Sequence, residues 1–531
     1  MRAWAWSIGV ATAISAAHAG EPRDTVVIAV GAEPDTFIPP LSNSAAGYLV
    51  QDLIYEPLVE SRFDCRLSYH PRLAKVRTGD DGRIDLTLRG YGAWPDGTPV
   101  SALDVRTAWD VIADPAYASP RIAYVDRIGQ PIIDAPNRLH FQPPAPLDET
   151  TALSMATMYY LPAHLVAGLE PDALRDHPLA RSPMPTGPWT LAEWEPRRHL
   201  VFRPNPLYRG PRRYRPHLAA VRFELIPEYE TRILKLQRGE IDVLEGLRIR
   251  DLAPLRAARP DVTLHRRGYR FMDYVAWNLD RAPFDDLRVR RAFAHAVDIE
   301  AIIADQLTDE TGERYGQPAV STFTPELCDL RPDITPLAHD PDRARALLDE
   351  AGWVDSDGDG VRDRDGEPLT FRLVTNRENE RRRRASATIQ AALGEIGVQV
   401  DVDAIEFNAM MGRAHRRDFD ALLAGWSAAL FPDPSPFWTT GAGFNYPGYS
   451  DPEVDALIAR GLATRDPAEA APIWQEVQER IYADQPYLFL YWRDEVIAID
   501  GRFQGAEPNV LHAYPDLHRW RVPAGEVKYG K

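Results

Sequence analysis

Short apolar runs and amphipathic stretches alternate along this chain. Thr25-Val26-Val27-Ile28-Ala29-Val30 is a β-branched run with the length of a buried strand. Residues 45–59 are apolar and aromatic on a helical period that stops at Glu56-Pro57. Leu86-Thr87-Leu88 predicts a strand, and Trp94-Pro95-Asp96-Gly97-Thr98-Pro99 a turn after it. Ser101 and Asp104 have N-cap spacing ahead of Val105, Ala108, Trp109 and Ile112, which predicts a helix start. Residues 190–194, 200–202 and 221–226 predict strands, the last by strict alternation, and a helix over about 230–238 ends at Gly239. Further on, Asp285 is expected to cap a helix running through Val289, Phe293 and Val297. Asp340-Pro341 opens another that Gly352 closes, and Asp451-Pro452 and Asp466-Pro467 repeat the opening signal. Leu488 to Ile499 predicts one or two strands. This alternation of strands and helices predicts α/β layering. No internal repeat or long linker interrupts it, so a chain with several lobes would cross between them more than once.

A length of 531 residues is too large for one core, so two or three packing units are expected. The first nineteen residues stand apart. Arg2, the apolar stretch Trp4 to Ala17 and the Ala17-His18-Ala19 site make a secretory signal peptide, so the mature protein is expected outside the cytoplasm. No later segment is apolar enough to span a bilayer. The net charge of −17, with positive charge carried mostly by dispersed Arg, argues against a nucleic-acid partner. The run Arg381 to Arg384 opens a helical pattern and is read as a solvated face. Cys65 and Cys328 could pair in an oxidising compartment, but sequence does not show whether they meet.

Enzyme signatures are missing. There is no G-x-S-x-G elbow, no H-E-x-x-H pair and no P-loop, and the thirteen His residues lack ligand spacing. One metal-like pattern is present. Asp355, Asp357, Asp359 and Asp363 place oxygens at positions 1, 3, 5 and 9 of a calcium loop, with Gly360 at position 6. Position 12, which should be a bidentate Glu, is Gly366, and Glu367 is one residue off. The competing reading is an Asx-rich turn; a bound calcium would stiffen a surface loop. No other cofactor is expected. The aromatic residues, Trp426 beside Gly425 among them, suit either a core or the wall of a ligand cleft.

Seven segments, in order, resemble the family 5 extracellular solute-binding proteins. They are Tyr55-Glu56-Pro57-Leu58-Val59, Trp94 to Val105, Thr186-Gly187-Pro188-Trp189, Asn205-Pro206-Leu207-Tyr208, Gly239-Glu240-Ile241-Asp242, Asp286 to Ala292, and Leu347-Leu348-Asp349-Glu350-Ala351-Gly352. The resemblance implies a two-lobed periplasmic binding protein of type II, in the large oligopeptide-binding subclass, with an extra domain inserted in the first lobe. It divides the chain into lobe I (residues 20–62, 185–270 and 495–531), the extra domain (63–184) and lobe II (271–494). It implies a monomer that captures a peptide or other small solute by hinge closure and delivers it to the permease and ATPase of an ABC importer, with no chemistry on the ligand. Gly425, Trp426 and Ser427 follow as cleft wall from the family's "GW" element, and Trp277 and Asn278 from its "FN"-like element. Tyr48 and Glu33 are assigned to the cleft from the N-terminal loop. Peptide-binding relatives carry an Asp after "GW" that holds the peptide amino group, and Ala429 stands there instead. The alternatives are an exported, calcium-stabilised hydrolase and a ligand sensor on the same scaffold.

Overall fold

The computed structural model describes residues 24–529 apart from 146, 148, 158, 159, 428 and 515. The expected signal peptide, residues 1–19, lies outside them. Strand β1 (Thr25–Val30) is followed by a hairpin of β2 (Val59–Asp64) and β3 (Arg66–Pro71). Next come β4 (Ala74–Thr78), β5 (Ile84–Leu88), β6 (Ile132–Ala135) and β7 (Arg138–Phe141), which form a separate four-stranded sheet in the order β4-β5-β7-β6. The chain then lays down β8 (Trp189–Glu195), β9 (His199–Pro204), β10 (Ala220–Leu225), β11 (Val243–Leu244) and β12 (Val262–Trp277). The remaining strands are β13 (Gly316–Pro318), the short hairpin β14 (Asp363–Arg364) and β15 (Glu367–Pro368), then β16 (Thr370–Asn376), β17 (Gln399–Ile405), β18 (Ala421–Ser427) and β19 (Tyr487–Asp500).

Eleven of these strands make one mixed sheet, in the order β17-β16-β18-β12-β19-β11-β1-β10-β9-β8, with β13 on β19. Among the described residues the hydrogen-bonded ladder passes between its two halves through β12 and β19, sixteen and fourteen residues long. These two run antiparallel from Val262↔Asp500 to Ala276↔Tyr487. The residues after Asp261 and before Gly501 pair with the first half of the sheet, and those beyond about Phe271 with the second. The ladder is irregular at the crossing, with register shifts between Arg266 and Tyr269 and between Tyr269 and Phe271. Gly268 sits there at φ +82°, a conformation that favours glycine.

The local reasons are those the pattern carries. Ser101 and Asp104 form a reciprocal capping box on the helix Ala102–Ala113. Asp340, Asp451 and Asp466 each cap a helix that begins with proline. The helix Leu287–Ala296 is capped by Asp286, one residue after the expected Asp285, because the Asp286 carboxylate accepts from the Arg288 amide. Val26 and Ile28 of β1 share a core with Leu86 and Trp109, so the four-stranded sheet and its helix are packed onto the first half. A separate core under the second half gathers Met272, Tyr274, Leu327 and Trp474.

The arginine run is a solvated face only in its second half, where Arg383 and Arg384 are exposed. Arg381 and Arg382 turn inward from the helix Glu380–Gly394 onto the buried carboxylate of Asp273, at 2.8 and 3.2 Å. Only Arg384 keeps a surface partner, Asp305. An ionised carboxylate at the middle of β12 demands such cations once it is buried.

Candidate cleft between the two halves

A cavity of about 1600 Å3 lies where the first half of the sheet, the four-stranded sheet's helices and the C-terminal segment face one another. Tyr48 on the helix Ala45–Ile54 lines it, with its hydroxyl donating to the Ser42 carbonyl and the Arg121 guanidinium 5.1 Å from its ring. Ser427, at the end of β18, lines it from the second half. Among the described lining residues there are seven arginines against five carboxylates, although the whole chain carries a net charge of −17.

The other expected wall residues hold different places. Trp277 is fully buried and packs against Phe284 and Phe293, with centroids 5.1 and 5.5 Å away. Asn278 is buried beside it and donates to the carbonyls of Arg417 and Phe419. Both belong to the core, because the end of β12 is covered on both faces. Trp426 is half-buried in an aromatic stack with Tyr274 and Tyr446, at 5.6 and 5.4 Å, and does not line the cavity. Gly425 faces the Asp273 cluster: a Cβ there would lie 2.4 Å from both Asp273 Oδ1 and Arg382 Nη2. Glu33 braces the first half by accepting from Trp194 Nε1 and the Arg197 amide.

Sequence reasoning missed the basic wall. Arg267 and Arg270 lie on β12 at its irregular crossing, and Arg232 on the helix Tyr229–Gln237. Glu245 and Glu495 stand beside Arg267, at 3.5 and 2.5 Å. The segment Asn509–His512 closes the wall. Arg267 Nε donates to the Asn509 carbonyl and Arg270 Nη1 to the Val510 carbonyl. The one local signal was Gly268, a glycine inside a strand between Arg267 and Tyr269, which marks a bulge. On that wall His512 is exposed to the cavity, 4.0 Å from Asp52, and its position deep in the cleft, then the nearby Arg267 and Arg270, push its pKa down.

The calcium-like loop brings three of its four carboxylates together: oxygens of Asp355, Asp357 and Asp363 lie within 4.8 Å of one another. Asp359 instead accepts from the Val361 amide. Backbone amides of Gly358 and Gly360 already donate to Asp355, and Ser356 donates to Asp363, which is the hydrogen bonding of an Asx-rich turn. Glu367 is exposed in the β14–β15 hairpin.

Cys65 and Cys328 form a disulfide. Cys65 occupies the turn of the β2–β3 hairpin, whose Phe63 packs on the core of the second half. Cys328 follows Leu327 of that same core.

Comparison with known proteins places this architecture. Residues 68–447 match the middle region of the bacterial extracellular solute-binding proteins, family 5. The chain belongs to that family. It is 25% identical over 514 residues to the oligopeptide-binding protein AppA of Bacillus subtilis, covering 94% of this chain and 92% of that one. It is 26% identical over 471 residues to the nickel-binding periplasmic protein of Escherichia coli, covering 82% and 83%. The solved structure of Bacillus subtilis AppA in complex with a nonapeptide superposes with a TM-score of 0.79 at 23% identity, over 95% of this chain and all of that one. The fold is therefore that of the two-lobed binding proteins, with the long strands β12 and β19 as the connection between lobes. Among the described residues no helix is long and apolar enough to cross a membrane.

Proposed function

We propose that this family 5 protein is the substrate-binding component of an ABC importer, working outside the cytoplasm after removal of residues 1–19. It takes one small solute or peptide into the 1600 Å3 cavity and delivers it to a membrane permease. The cavity carries the reading. It exceeds the roughly 300–1000 Å3 of a drug-sized site. It is also lined from both halves of a sheet that, among the described residues, is continuous through β12 and β19. Irregular strand crossings at Arg266–Phe271 are where backbone angles absorb a hinge motion. The division into lobe I, extra domain and lobe II at residues 62/63, 184/185, 270/271 and 494/495 is part of this reading. Relatives named for oligopeptides and for nickel bracket the size of the cargo. Ala429, in place of the Asp expected after the "GW" element, supports a solute held by something other than its amino group.

Native mass spectrometry of protein purified gently from its host tests capture. The expected result is a one-to-one bound mass released on denaturation. A bare protein mass, together with no thermal shift from any peptide, carboxylate or metal chelate, would overturn it.

A further inference from the structure

Within the reading of the cleft as a capture site, its charges are unevenly matched. The five lining carboxylates include Glu60, which pairs with Arg62 and Arg72, and Glu495, which pairs with Arg267. Arg232 has no such partner. Among the described residues its guanidinium makes no hydrogen bond and no ion pair within 4 Å, its Nε is buried without an acceptor, and its nearest aromatic ring is Tyr229 at 5.7 Å. Arg270 has backbone partners alone: Nη1 donates to the Val510 and Leu511 carbonyls, Nε is buried without an acceptor, and among the described residues no carboxylate lies within 4 Å. The one acid close to Arg232, Glu245, is shared with Arg267, and burial and the neighbouring Glu495 raise its pKa. An under-compensated guanidinium facing a cavity is costly unless something else completes it. A planar guanidinium is completed best by a carboxylate, which accepts two parallel hydrogen bonds.

We propose that the captured solute carries a carboxylate, and that Arg232, assisted by Arg270, receives it at the wall formed by the helix Tyr229–Gln237, β12 and residues 509–512. Gly31 leaves space at this place: a Cβ there would lie 3.6 Å from Arg232 Nη1, in ordinary contact. Arg267 and Arg270 flank the irregular crossing of β12, so charge neutralisation by the ligand acts on the strand that joins the halves.

The test uses the full mature chain, its Arg232→Gln and Arg270→Gln variants, and defined probes. The probes are trialanine, N-acetyl-trialanine, trialanine amide, tricarballylate and inorganic phosphate. The co-purified solute is identified by mass. It is expected to bear a carboxylate. N-acetyl-trialanine or tricarballylate should bind while trialanine amide does not, and Arg232→Gln should weaken that binding roughly 10- to 100-fold. The unliganded Arg232→Gln protein should melt no lower than wild type, because it loses a charge that had no partner; a merely structural arginine would lower it. A co-purified solute without a carboxylate, equal binding of trialanine amide, binding of phosphate alone, or unchanged affinity in Arg232→Gln would each overturn the proposal while leaving capture intact. No co-purified solute and no binding of any probe would instead sink the capture reading itself.

Discussion

Cys65 and Cys328 are covalently joined across 263 residues of chain, and the bond ties the N-terminal β2–β3 hairpin to the core of the second half. The neighbouring pair Arg66–Asp329, at 2.5 Å, reinforces the same junction. The β2–β3 hairpin therefore travels with the second half during any opening of the cleft.

Replacing both cysteines by serine is expected to lower stability by about 2–5 kcal/mol, since a loop of this length constrains the unfolded chain strongly. It should also widen the open state. Small-angle scattering of the unliganded protein should show a larger radius of gyration for the double variant than for wild type. Equal radii would mean that the hairpin does not limit opening.

Asp273 is the second junction. Burial opposes its ionisation, but Arg381 and Arg382 hold its carboxyl well below the usual range, and Tyr491 donates to it at 3.0 Å. Asp273→Asn would leave Arg381, Arg382 and Arg493 without their shared anion and is expected to cost about 3–5 kcal/mol. Gly425→Ala should cost about 1–3 kcal/mol, because its Cβ would also meet the Met272 carbonyl at 2.6 Å, and that backbone atom cannot swing away. Denaturant melts of both variants check this; a neutral Gly425→Ala would show that β18 and β12 separate freely.

Much of this was legible beforehand. The strands at 25–30 and 221–226 and the Asp-Pro helix starts follow from local periodicity and capping, and the family motifs lie in turns and at helix ends between such elements. The cleft was less legible. Trp277 and Asn278 look like wall residues in sequence because an aromatic–amide pair suits either place, and only the covering of β12 on both faces decides for the core. Arg232, Arg267, Arg270 and His512 come from three distant segments, and topology rather than spacing makes them neighbours. The pairing of Cys65 with Cys328 was open for the same reason.

His518, buried against Tyr214 on the cleft wall, gives a pH dependence. Burial first, then Arg72 and Arg519, push it down to about 3, with Glu60 opposing. The folded protein thus keeps it neutral where the unfolded chain, titrating near 6.5, takes up a proton. Its contribution is complete above about pH 6.5 and is lost as the pH falls toward 3, at up to about 1.4 kcal/mol per unit. Urea midpoints measured between pH 7 and 4.5 should fall, and His518→Gln should flatten the fall. An identical slope in the variant would assign the effect elsewhere.

The Asp355 loop gives a prediction about cation removal. Calcium takes six to eight oxygens, whereas three carboxylates converge here and backbone amides already serve Asp355. Adding 1 mM calcium to EDTA-treated protein is expected to move Tm by less than about 1 °C, the behaviour of a site too weak to fill at that concentration. A rise of several degrees that disappears in Asp355→Ala would place a structural cation in the loop.

The strand order has a consequence for how the molecule comes to exist. β11 pairs Val243 and Leu244 with Ile499 and Ala498, and β1 lies beside both β10 and β11. A chain made from its N-terminus has nearly all of its length waiting before residues 487–500 arrive to knit the two halves together. Assembly of the sheet is a late, long-range event, with exposed strand edges held open until then. Truncation before Tyr487 should therefore abolish folding of both halves rather than leave one intact.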